Sequence, residues 1–308
     1  MAAVSVILCA YNSERFLRPA VESVLAQTFK DFELICIDDG AKDSTGKILD
    51  EYAAHDSRVK VIHQANTGQV KAAMNGIAVS AAPLIARMDA DDICRPDRLA
   101  KQVAFMDAHP EIVLLGGAYE LIDEKTRILI KMGQPTGDAD LQKICLSGRC
   151  PICQPLAIFR REAYERVGGY RPDFSPAEDI DLWLRLGDIG QMACLPDVLL
   201  QYRQHAGSLS ETKQHIQLAN IRRAVEETWQ RRNLPGQPNV AKDEWRATGD
   251  EGSKYRQLVK YGWWAFSSGH PSTARSYGLA AIRSRPFDAA GWKLFGVSLL
   301  KGRRAPQG

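Results

Sequence analysis

Apolar runs alternate with amphipathic segments along the first 115 residues of the chain. Runs rich in Val, Ile and Leu are typical of buried strands, and the segments between them repeat apolar residues three and four positions apart, as on one face of a helix. This alternation predicts right-handed crossovers and a mostly parallel central sheet flanked by helices, an α/β fold. The predicted strands are Val4–Cys9, Glu33–Ile37, Val59–Ile62, the run from Leu84, and Ile112–Leu115, and the predicted helices cover residues 17–25 with Pro19 in the first turn, 48–53, 69–79 and 96–108.

Several of these strands end in acidic loops. Asp38 and Asp39 follow the second strand, and Asp89, Asp91 and Asp92 follow the run from Leu84. In an α/β sheet, ligands bind where the strands end. Neighbouring carboxylates repel each other unless a cation lies between them, and Mg²⁺ or Mn²⁺ takes one or two carboxylates together with substrate phosphates. The spacing predicts a metal–phosphate site, although a polar turn after a strand gives the same pattern.

From Glu120 the pattern loosens, and a polar connection is predicted there. Helices are predicted near Asp138–Leu146 and Arg160–Val167, and a further helix opens with Glu178 and Asp179. After Ser208 the segments become long and mostly helical. The predicted domains are a catalytic domain over residues 1–210, with a nucleotide-binding half at 1–115 and an acceptor-side half at 116–210, and a helical C-terminal region at 211–308.

Composition narrows the class of protein. The net charge of +3 is too small to indicate a nucleic-acid partner. Seven cysteines, an odd number lying mostly in apolar runs, favour reduced thiols, and Cys150 and Cys153 lack the second pair that a zinc site needs. The N-terminus does not resemble a signal peptide, and no window approaches the roughly 18 apolar residues that span a bilayer. We therefore expect a cytoplasmic protein, with the inner face of the membrane as the alternative placement.

The end of the chain is basic. Residues 270–308 hold seven Lys or Arg and a single acid, Asp288, with Trp263, Trp264 and Trp292 nearby. A basic amphipathic segment of this kind binds an anionic membrane surface, or it packs its tryptophans on the main domain and exposes its charges. The sequence leaves both interpretations open.

Three motifs together resemble one enzyme family. They are VSVILCAYNSERFLRPAVESVLAQTFKDFELICIDDGAKDST, ARMDADD followed by PDRL, and GGYRP with AEDIDLWLR after it. Over about residues 3 to 207 the chain resembles the family 2 glycosyltransferases, which have a GT-A fold. The resemblance implies an inverting, metal-dependent transfer of one sugar from a nucleotide-diphosphate donor, expected to be a UDP-sugar, to a hydroxyl of a glycan or lipid-linked acceptor.

The resemblance also implies roles for individual residues at the donor. The Tyr11 ring would lie against the base, Asp39 would accept from the pyrimidine N3–H, and Asp38 would support that turn or the ribose. Asp91 would be the closest contact of the Mn²⁺ or Mg²⁺ cofactor, with Asp89 nearer the ribose or a metal-bound water. The residues expected to bind the nucleotide sugar are Ala10, Tyr11, Asn12, Asp38, Asp39, Asn66, Gly68, Lys71, Asp89, Ala90 and His205.

The family pattern places the general base at the Asp of an ED pair, here Asp179, with Glu178 beside it. Acids in a first helical turn also interact favourably with the helix dipole and need no catalytic role. Gln154 stands where relatives often have His, and no QxxRW motif follows the pair, which indicates one sugar per encounter. A sugar nucleotidyltransferase and an inactive nucleotide-sugar-binding module are the alternatives. The first normally shows a Gly-rich basic loop after the first strand, and this chain has AYNSE there.

Overall fold

The computed structural model describes residues 2–205, 214–240 and 251–301. These residues form two compact units. Unit 1 contains residues 2–119, 133–201 and 214–240, and unit 2 contains residues 120–132, 202–205 and 251–301.

Four parallel strands make up the first half of the sheet in unit 1, in the order β3-β2-β1-β4. The interior residues of β1, β2 and β4 are almost wholly buried, as expected for strands covered on both faces, whereas the edge strand β3 is only partly buried. Ala10 pairs with Asp38 and Cys9 pairs with Asp89, so the carboxyl ends of the three central strands meet at one edge. The strands are β1 (Val4–Ala10), β2 (Phe32–Asp38), β3 (Val59–His63) and β4 (Leu84–Asp89).

Helices connect these strands much as the periodicity predicted. The third helix has the predicted bounds, whereas Pro19 lies inside the first helix, beyond its first turn, where its ring removes one backbone hydrogen bond. The fourth helix begins after Pro96 rather than at it. The helices are α1 (Glu14–Leu25), α2 (Thr45–His55), α3 (Gln69–Val79) and α4 (Arg98–Ala108).

The second half of the sheet is antiparallel, which the sequence did not indicate. The strand that starts at Ile112 is longer than predicted because it continues through Gly116 and Gly117, where a side chain would collide with Ile152 and Leu199 at 2.9 Å. β8 pairs antiparallel with both β4 and β6, and β5 with β9. These strands are β5 (Ile93–Cys94), β6 (Ile112–Ile122), β8 (Ile158–Arg160) and β9 (Gln191–Arg203), with the edge strand β7 (Ile128–Met132) against β6.

The remaining helices of unit 1 pack around Trp183, which is fully buried and donates its indole N–H to Ile152 O at 3.0 Å. Arg231, which ends the last helix of this unit, and Arg232, which follows it, contact Asp188 at 2.5 and 2.6 Å. This helix therefore belongs to unit 1, whereas the sequence placed everything after residue 210 in a separate region. The helices are α5 (Asp138–Leu146), α6 (Arg161–Arg166), α7 (Glu178–Leu186) and α8 (Gln214–Arg231).

Unit 2 joins the C-terminal helices to a segment from the middle of the chain. Asp123 accepts from Tyr277 Oη at 3.0 Å and from Arg127 Nε at 2.7 Å. Residues 120–132, predicted to be a polar connection, therefore pack with these helices, and the division between the units differs from the predicted boundary near residue 210. The helices are α9 (Glu251–Ser267), α10 (Pro271–Ser284) and α11 (Ala289–Lys301).

Candidate active site

The candidate site lies in unit 1, where the ends of β1, β2 and β4 meet. The backbone N–H of Asp39 donates to Ala10 O at 2.9 Å, which joins the end of β2 to that of β1. Tyr11 follows, and 45% of its surface is exposed, so its ring face is available for stacking on a planar base. Asn12 takes a left-handed conformation (φ 49°), and its Oδ1 accepts from the Lys42 N–H at 2.8 Å.

The Asp39 carboxylate holds the loop after β3. Oδ1 accepts from the Thr67 N–H and from Gln64 Nε2, both at 2.8 Å, and from Thr67 Oγ1 at 3.2 Å. Oδ2 accepts from the Gly68 N–H at 2.9 Å. A carboxylate offers about four lone-pair positions, so these donors fill it. The predicted contact between Asp39 and a pyrimidine N–H would have to share or displace one of these hydrogen bonds. The two from side chains, Gln64 Nε2 and Thr67 Oγ1, can move aside more easily than the two from backbone N–H groups.

The Asp38 carboxylate contacts His63, the last residue of β3. Its Oδ1 accepts from the Ala41 N–H at 2.9 Å, and its Oδ2 lies 2.9 Å from His63 Nδ1. His63 Nε2 lies 3.0 Å from Asp50 Oδ1. The hydrogen bonds to Asp38 and then to Asp50 raise the pKa of His63. A side chain at Gly46 would collide with Asp38 Oδ2 at 2.6 Å, so Gly46 leaves room for this arrangement.

The other predicted donor residues border this loop. Asn66 and Gly68 are exposed, and a side chain at Gly40 (φ 73°) would lie 2.7 Å from the Asn66 backbone nitrogen. Gly68 has φ 89°, a conformation that glycine adopts without strain, and α3 begins immediately after it. Lys71 is exposed in the first turn of that helix.

Three carboxylates are crowded together after β4. Asp89, Asp91 and Asp92 each offer an oxygen within 4.8 Å of the others, the grouping that a hard divalent cation binds. Burial raises the pKa of Asp89 to about 6, and Arg87 opposes this shift while Asp91 and then Asp179 add to it. Ala90, between the first two acids, is buried. The electrostatic effect of Asp179 on Asp89 means that α7 begins near the end of β4.

Arg87 lies beneath this cluster and is fully buried. Its Nη2 is 3.9 Å from Asp89 Oδ1, and its Nη1 is 3.7 Å from Cys9 Sγ. Arg87 is therefore placed as a structural partner of the acids, because a buried cation nearby favours an ionised carboxylate.

The predicted base region is the first turn of α7. Glu178 is buried, and burial together with the Asp179 charge raises its pKa to about 7. Asp179 is partly exposed, and its Oδ1 accepts from the Ile180 N–H at 2.8 Å. The exposed Cys150 donates its thiol to Asp179 Oδ2 at 3.4 Å. Because its pKa is raised to about 7, Glu178 is largely protonated up to nearly neutral pH.

Two amides connect the two groups of acids. Gln69 Nε2 lies 3.4 Å from Asp89 Oδ1 and 3.3 Å from Gln154 Oε1. Gln154 Nε2 in turn lies 3.4 Å from Glu178 Oε1. A continuous line of polar side chains therefore runs from the end of β4 to the start of α7. Gln154 lies beside Glu178, in the segment that the resemblance placed on the acceptor side.

Asp181, on the same helix, has a different environment. It is buried and forms ion pairs with Arg171 and, at 2.6 Å, with Arg185. Charges buried in such pairs hold side chains in place, so Asp181 contributes to the packing of α7.

The structure brings together in unit 1 every predicted site residue except His205, which follows β9 and belongs to unit 2. Its contact with the donor stays a prediction. Sequence reasoning missed Gln64, Thr67, Gln69 and Cys150, which hold the predicted acids in place. The only signal for the first three was their position in or directly after the polar loop between β3 and α3, where any one of several residues would have qualified.

Comparison with known proteins identifies the family. The model of glycosyl transferase family 2 matches residues 5–168, more than half of the chain. The chain belongs to this family. The amylovoran biosynthesis glycosyltransferase AmsE of Erwinia amylovora is 30% identical over 234 residues, which cover 73% of this chain and 87% of that protein. The resemblance read from the motifs is thus confirmed, and the chain is a glycosyltransferase.

Solved structures confirm the GT-A fold. S. aureus TarS 1–349 in complex with UDP-GlcNAc matches 98% of this chain and 92% of its own at a TM-score of 0.59 and 17% identity. Mannosyltransferase PcManGT from Pyrobaculum calidifontis, in complex with GDP-Man and Mn²⁺, matches 98% and 81% at a TM-score of 0.54 and 15% identity.

Proposed function

We propose that this glycosyltransferase is an inverting, metal-dependent enzyme that moves one sugar from a UDP-sugar to a hydroxyl of a glycan or a lipid-linked acceptor. The observation that carries the proposal is the convergence of the Asp89, Asp91 and Asp92 cluster with Asp179 at one edge of the sheet. A glycan acceptor agrees with the similarity to an amylovoran biosynthesis enzyme.

The residues after β4 fit a divalent cation. Their donor atoms are carboxylate oxygens, which Mg²⁺ and Mn²⁺ prefer, and their mutual repulsion is relieved by a cation between them. Mn²⁺ accompanies GDP-Man in PcManGT. In our proposal Asp91 and Asp89 hold the ion, which supplies positive charge to the leaving diphosphate when it is bound.

The proposed transfer is a single in-line displacement. Asp179 takes the proton from the acceptor hydroxyl, whose oxygen attacks the anomeric carbon as the bond to the diphosphate breaks on the opposite face, and the configuration inverts. Asp179 suits this role because it is partly exposed, whereas Glu178 beside it is buried. Glu178, with its raised pKa, would hold a proton while Asp179 accepts one.

The donor's nucleoside would lie between Tyr11 and the Asp39 loop. TarS with UDP-GlcNAc and PcManGT with GDP-Man show that this fold accommodates both uridine and guanosine donors. We favour UDP because a carboxylate at the base accepts from the uracil N3–H. In this chain that contact would replace the Gln64 amide on Asp39.

A donor screen tests the proposal. The protein is incubated with UDP-, GDP- and dTDP-sugars with Mn²⁺, with Mg²⁺ and with EDTA, and release of the nucleoside diphosphate is measured. We expect turnover of a UDP-sugar that EDTA abolishes, and NMR of the product should show an inverted anomeric centre. Turnover that persists in EDTA would refute metal dependence, and binding of nucleotide without turnover of any donor would favour the inactive module.

Asp91→Ala tests the metal assignment. Loss of this carboxylate should abolish the metal-dependent part of UDP binding in calorimetry, because the ion loses its closest proposed ligand. The matched control is Asp107→Ala, an exposed acid of α4, which should bind UDP and Mn²⁺ like the wild type. Undiminished metal-dependent binding by Asp91→Ala would contradict the assignment.

A further inference from the structure

The last helix of unit 2, α11, has one packed face and one open face. Its packed face consists of Gly291, Leu294 and Ser298, all buried. A side chain at Gly291 would lie 3.0 Å from the Ile282 nitrogen in α10, and Gly262 in α9 leaves no room for a side chain beside Leu294. This face of α11 therefore packs against α9 and α10 of the same unit.

The open face is apolar. Trp292, Leu299 and Leu300 are 54%, 41% and 71% exposed, and the exposed Gly296 lies between them. Positions i, i+4, i+7 and i+8 share one side of a helix. The three large side chains therefore form a stripe along α11, and this stripe is substantially exposed in the part of the chain that the structure describes.

Phe287 extends the stripe at its N-terminal end. It lies in the turn between α10 and α11 and is completely exposed (102%). Trp292 Nε1 donates to Pro286 O at 2.8 Å, so the start of the stripe touches this turn. We call α10, α11 and the turn between them the hairpin. Of eight large hydrophobic side chains exposed in the described part of the chain, five lie in the hairpin. Such a concentration of exposed apolar residues indicates a contact surface.

The same hairpin is positively charged. Residues 271–301 contain five Lys or Arg and one acid, Asp288. The Asp288 carboxylate is occupied, because it accepts from the Ala290 N–H at 2.9 Å at the start of α11. Arg283, Arg285 and Lys293 are exposed next to Phe287 and Trp292. The surface that receives this hairpin must therefore accept both apolar side chains and positive charge.

We propose that the α11 stripe, together with Phe287, docks on an anionic lipid surface. Aromatic and leucine side chains would enter the headgroup boundary while the exposed Arg and Lys contact acidic headgroups. A second copy of the chain fits less well, because two such faces bring positive charges together. For a lipid-linked acceptor, this contact would hold the enzyme at the membrane; in that respect it builds on the proposed function, but the docking itself does not depend on it.

The test is cosedimentation of the full chain with vesicles of phosphatidylcholine alone and of phosphatidylcholine mixed with phosphatidylglycerol. We expect binding to the mixed vesicles that high salt reverses, and little binding to the neutral ones. Phe287→Ala should weaken it about tenfold, because an exposed ring loses its apolar burial in the boundary. Lys293→Gln should weaken it roughly fivefold, the value of one basic residue near an anionic surface.

The matched controls lie in unit 1. Val79→Ala removes another exposed apolar side chain, and Lys143→Gln removes another exposed positive charge. Both should bind vesicles like the wild type. The proposal is overturned if the wild-type protein does not bind anionic vesicles. It is also overturned if Phe287→Ala and Lys293→Gln bind them as well as the controls do. A dimer in analytical ultracentrifugation that Phe287→Ala dissociates would overturn it too, because the stripe would then be covered by a second copy.

Donor turnover with a soluble acceptor separates this proposal from the proposed function. Phe287→Ala should keep wild-type turnover, since Phe287 lies outside the candidate site. Loss of vesicle binding with turnover intact supports docking by the hairpin. Normal vesicle binding by Phe287→Ala and Lys293→Gln refutes it, whatever the donor screen gives.

Discussion

The acids at the end of β2 and those at the end of β4 lie on either side of β1 but have opposite surroundings. Asp39 accepts four hydrogen bonds, two of them from backbone N–H groups, and Asp38 is bound by Ala41 and His63. Within the part of the chain that the structure describes, the Asp89 side chain has long contacts with Gln69 at 3.4 Å and Arg87 at 3.9 Å, and it lies beside Asp91.

The hydrogen bonds distinguish two kinds of acid. Asp38 and Asp39 hold the loops of the site together, whereas the acids after β4 form the proposed cation site. Hydrogen bonds from backbone N–H groups favour an ionised carboxylate, and burial beside other carboxylates disfavours it. The first pair therefore fixes the loop after β3 before any donor arrives. The second group crowds three carboxylates together, and an external cation would relieve their repulsion, as expected of the proposed metal site.

Asp179→Asn should give the largest effect on catalysis. Removing the proposed base should lower turnover by roughly 10² or more, while UDP affinity stays near the wild-type value. Steady-state kinetics and UDP calorimetry measure the two quantities. Near-normal turnover would exclude Asp179 as the base.

Asp181→Asn is the control for this prediction on the same helix. It breaks a buried ion pair with Arg171 and Arg185, so it should cost about 3 kcal/mol or more of unfolding free energy. The turnover of the molecules that remain folded should be close to that of the wild type. A selective loss of turnover in this variant would indicate that Asp181 takes part in the chemistry.

Asp39→Asn and Asp89→Asn should have opposite effects on stability without metal. Asn at position 39 places an NH₂ group against a backbone N–H, and the loss of a charge-assisted hydrogen bond should cost roughly 2–3 kcal/mol. At position 89 the raised pKa means that the ionised form is disfavoured in the folded state, so Asn should leave stability unchanged or increase it above pH 6. Urea unfolding in EDTA measures both. Equal destabilisation would remove the distinction between the two groups of acids.

The parallel half of the fold was predictable because its strands are nearly continuous apolar runs covered on both faces. α3 even has the predicted bounds, since its apolar spacing begins immediately after Gly68. The short strands β5 and β7, and the antiparallel pairing of the second half of the sheet, were not predictable. These short strands depend on partners far along the chain, such as β9 for β5, and local periodicity carries no information about such pairing.

The candidate site also has a part that was predictable from the sequence and a part that was not. The predicted acids are brought together because each follows a strand, and a strand end has a fixed place at the edge of a sheet. The contacts of Gln69 with both Asp89 and Gln154 depend on three separate segments, so Gln69 did not stand out in the sequence, and Gln154 was noticed only through the family resemblance. The division into units was missed because residues 120–132 look like a connecting loop until Asp123 meets Tyr277.

Glu178→Gln should have a moderate effect and sharpen the comparison on the α7 side. With its pKa raised to about 7, the buried Glu178 is mostly protonated below neutral pH, and glutamine resembles that form. Turnover at about pH 6.5 should stay within about tenfold of the wild type, whereas Glu178→Ala, which leaves Gln154 without its partner, should lose more. A much larger loss in Glu178→Gln would mean that the ionised form is needed.

The pH dependence of stability provides a second measurement of this residue. A carboxyl whose pKa is higher in the folded state loses stabilisation as pH rises from its unfolded pKa, about 4.3, through its folded pKa. The wild type should therefore lose stability relative to Glu178→Gln between about pH 4.3 and pH 7. A constant difference across that range would contradict the raised pKa.

His63→Gln should give the smallest effect, and it probes the linkage that holds Asp38. His63 is half exposed, so its pairs with Asp38 and Asp50 should contribute no more than about 1 kcal/mol. Because the folded state raises the pKa of His63, the stabilisation is complete below about pH 6.5 and is lost as pH rises through the folded pKa. The wild type should lose its advantage over His63→Gln in urea unfolding across that range. The control is His55→Gln, which removes an exposed histidine at the end of α2. If the advantage persists at about pH 8.5, hydrogen bonding by the neutral ring, rather than its charge, holds Asp38 in place.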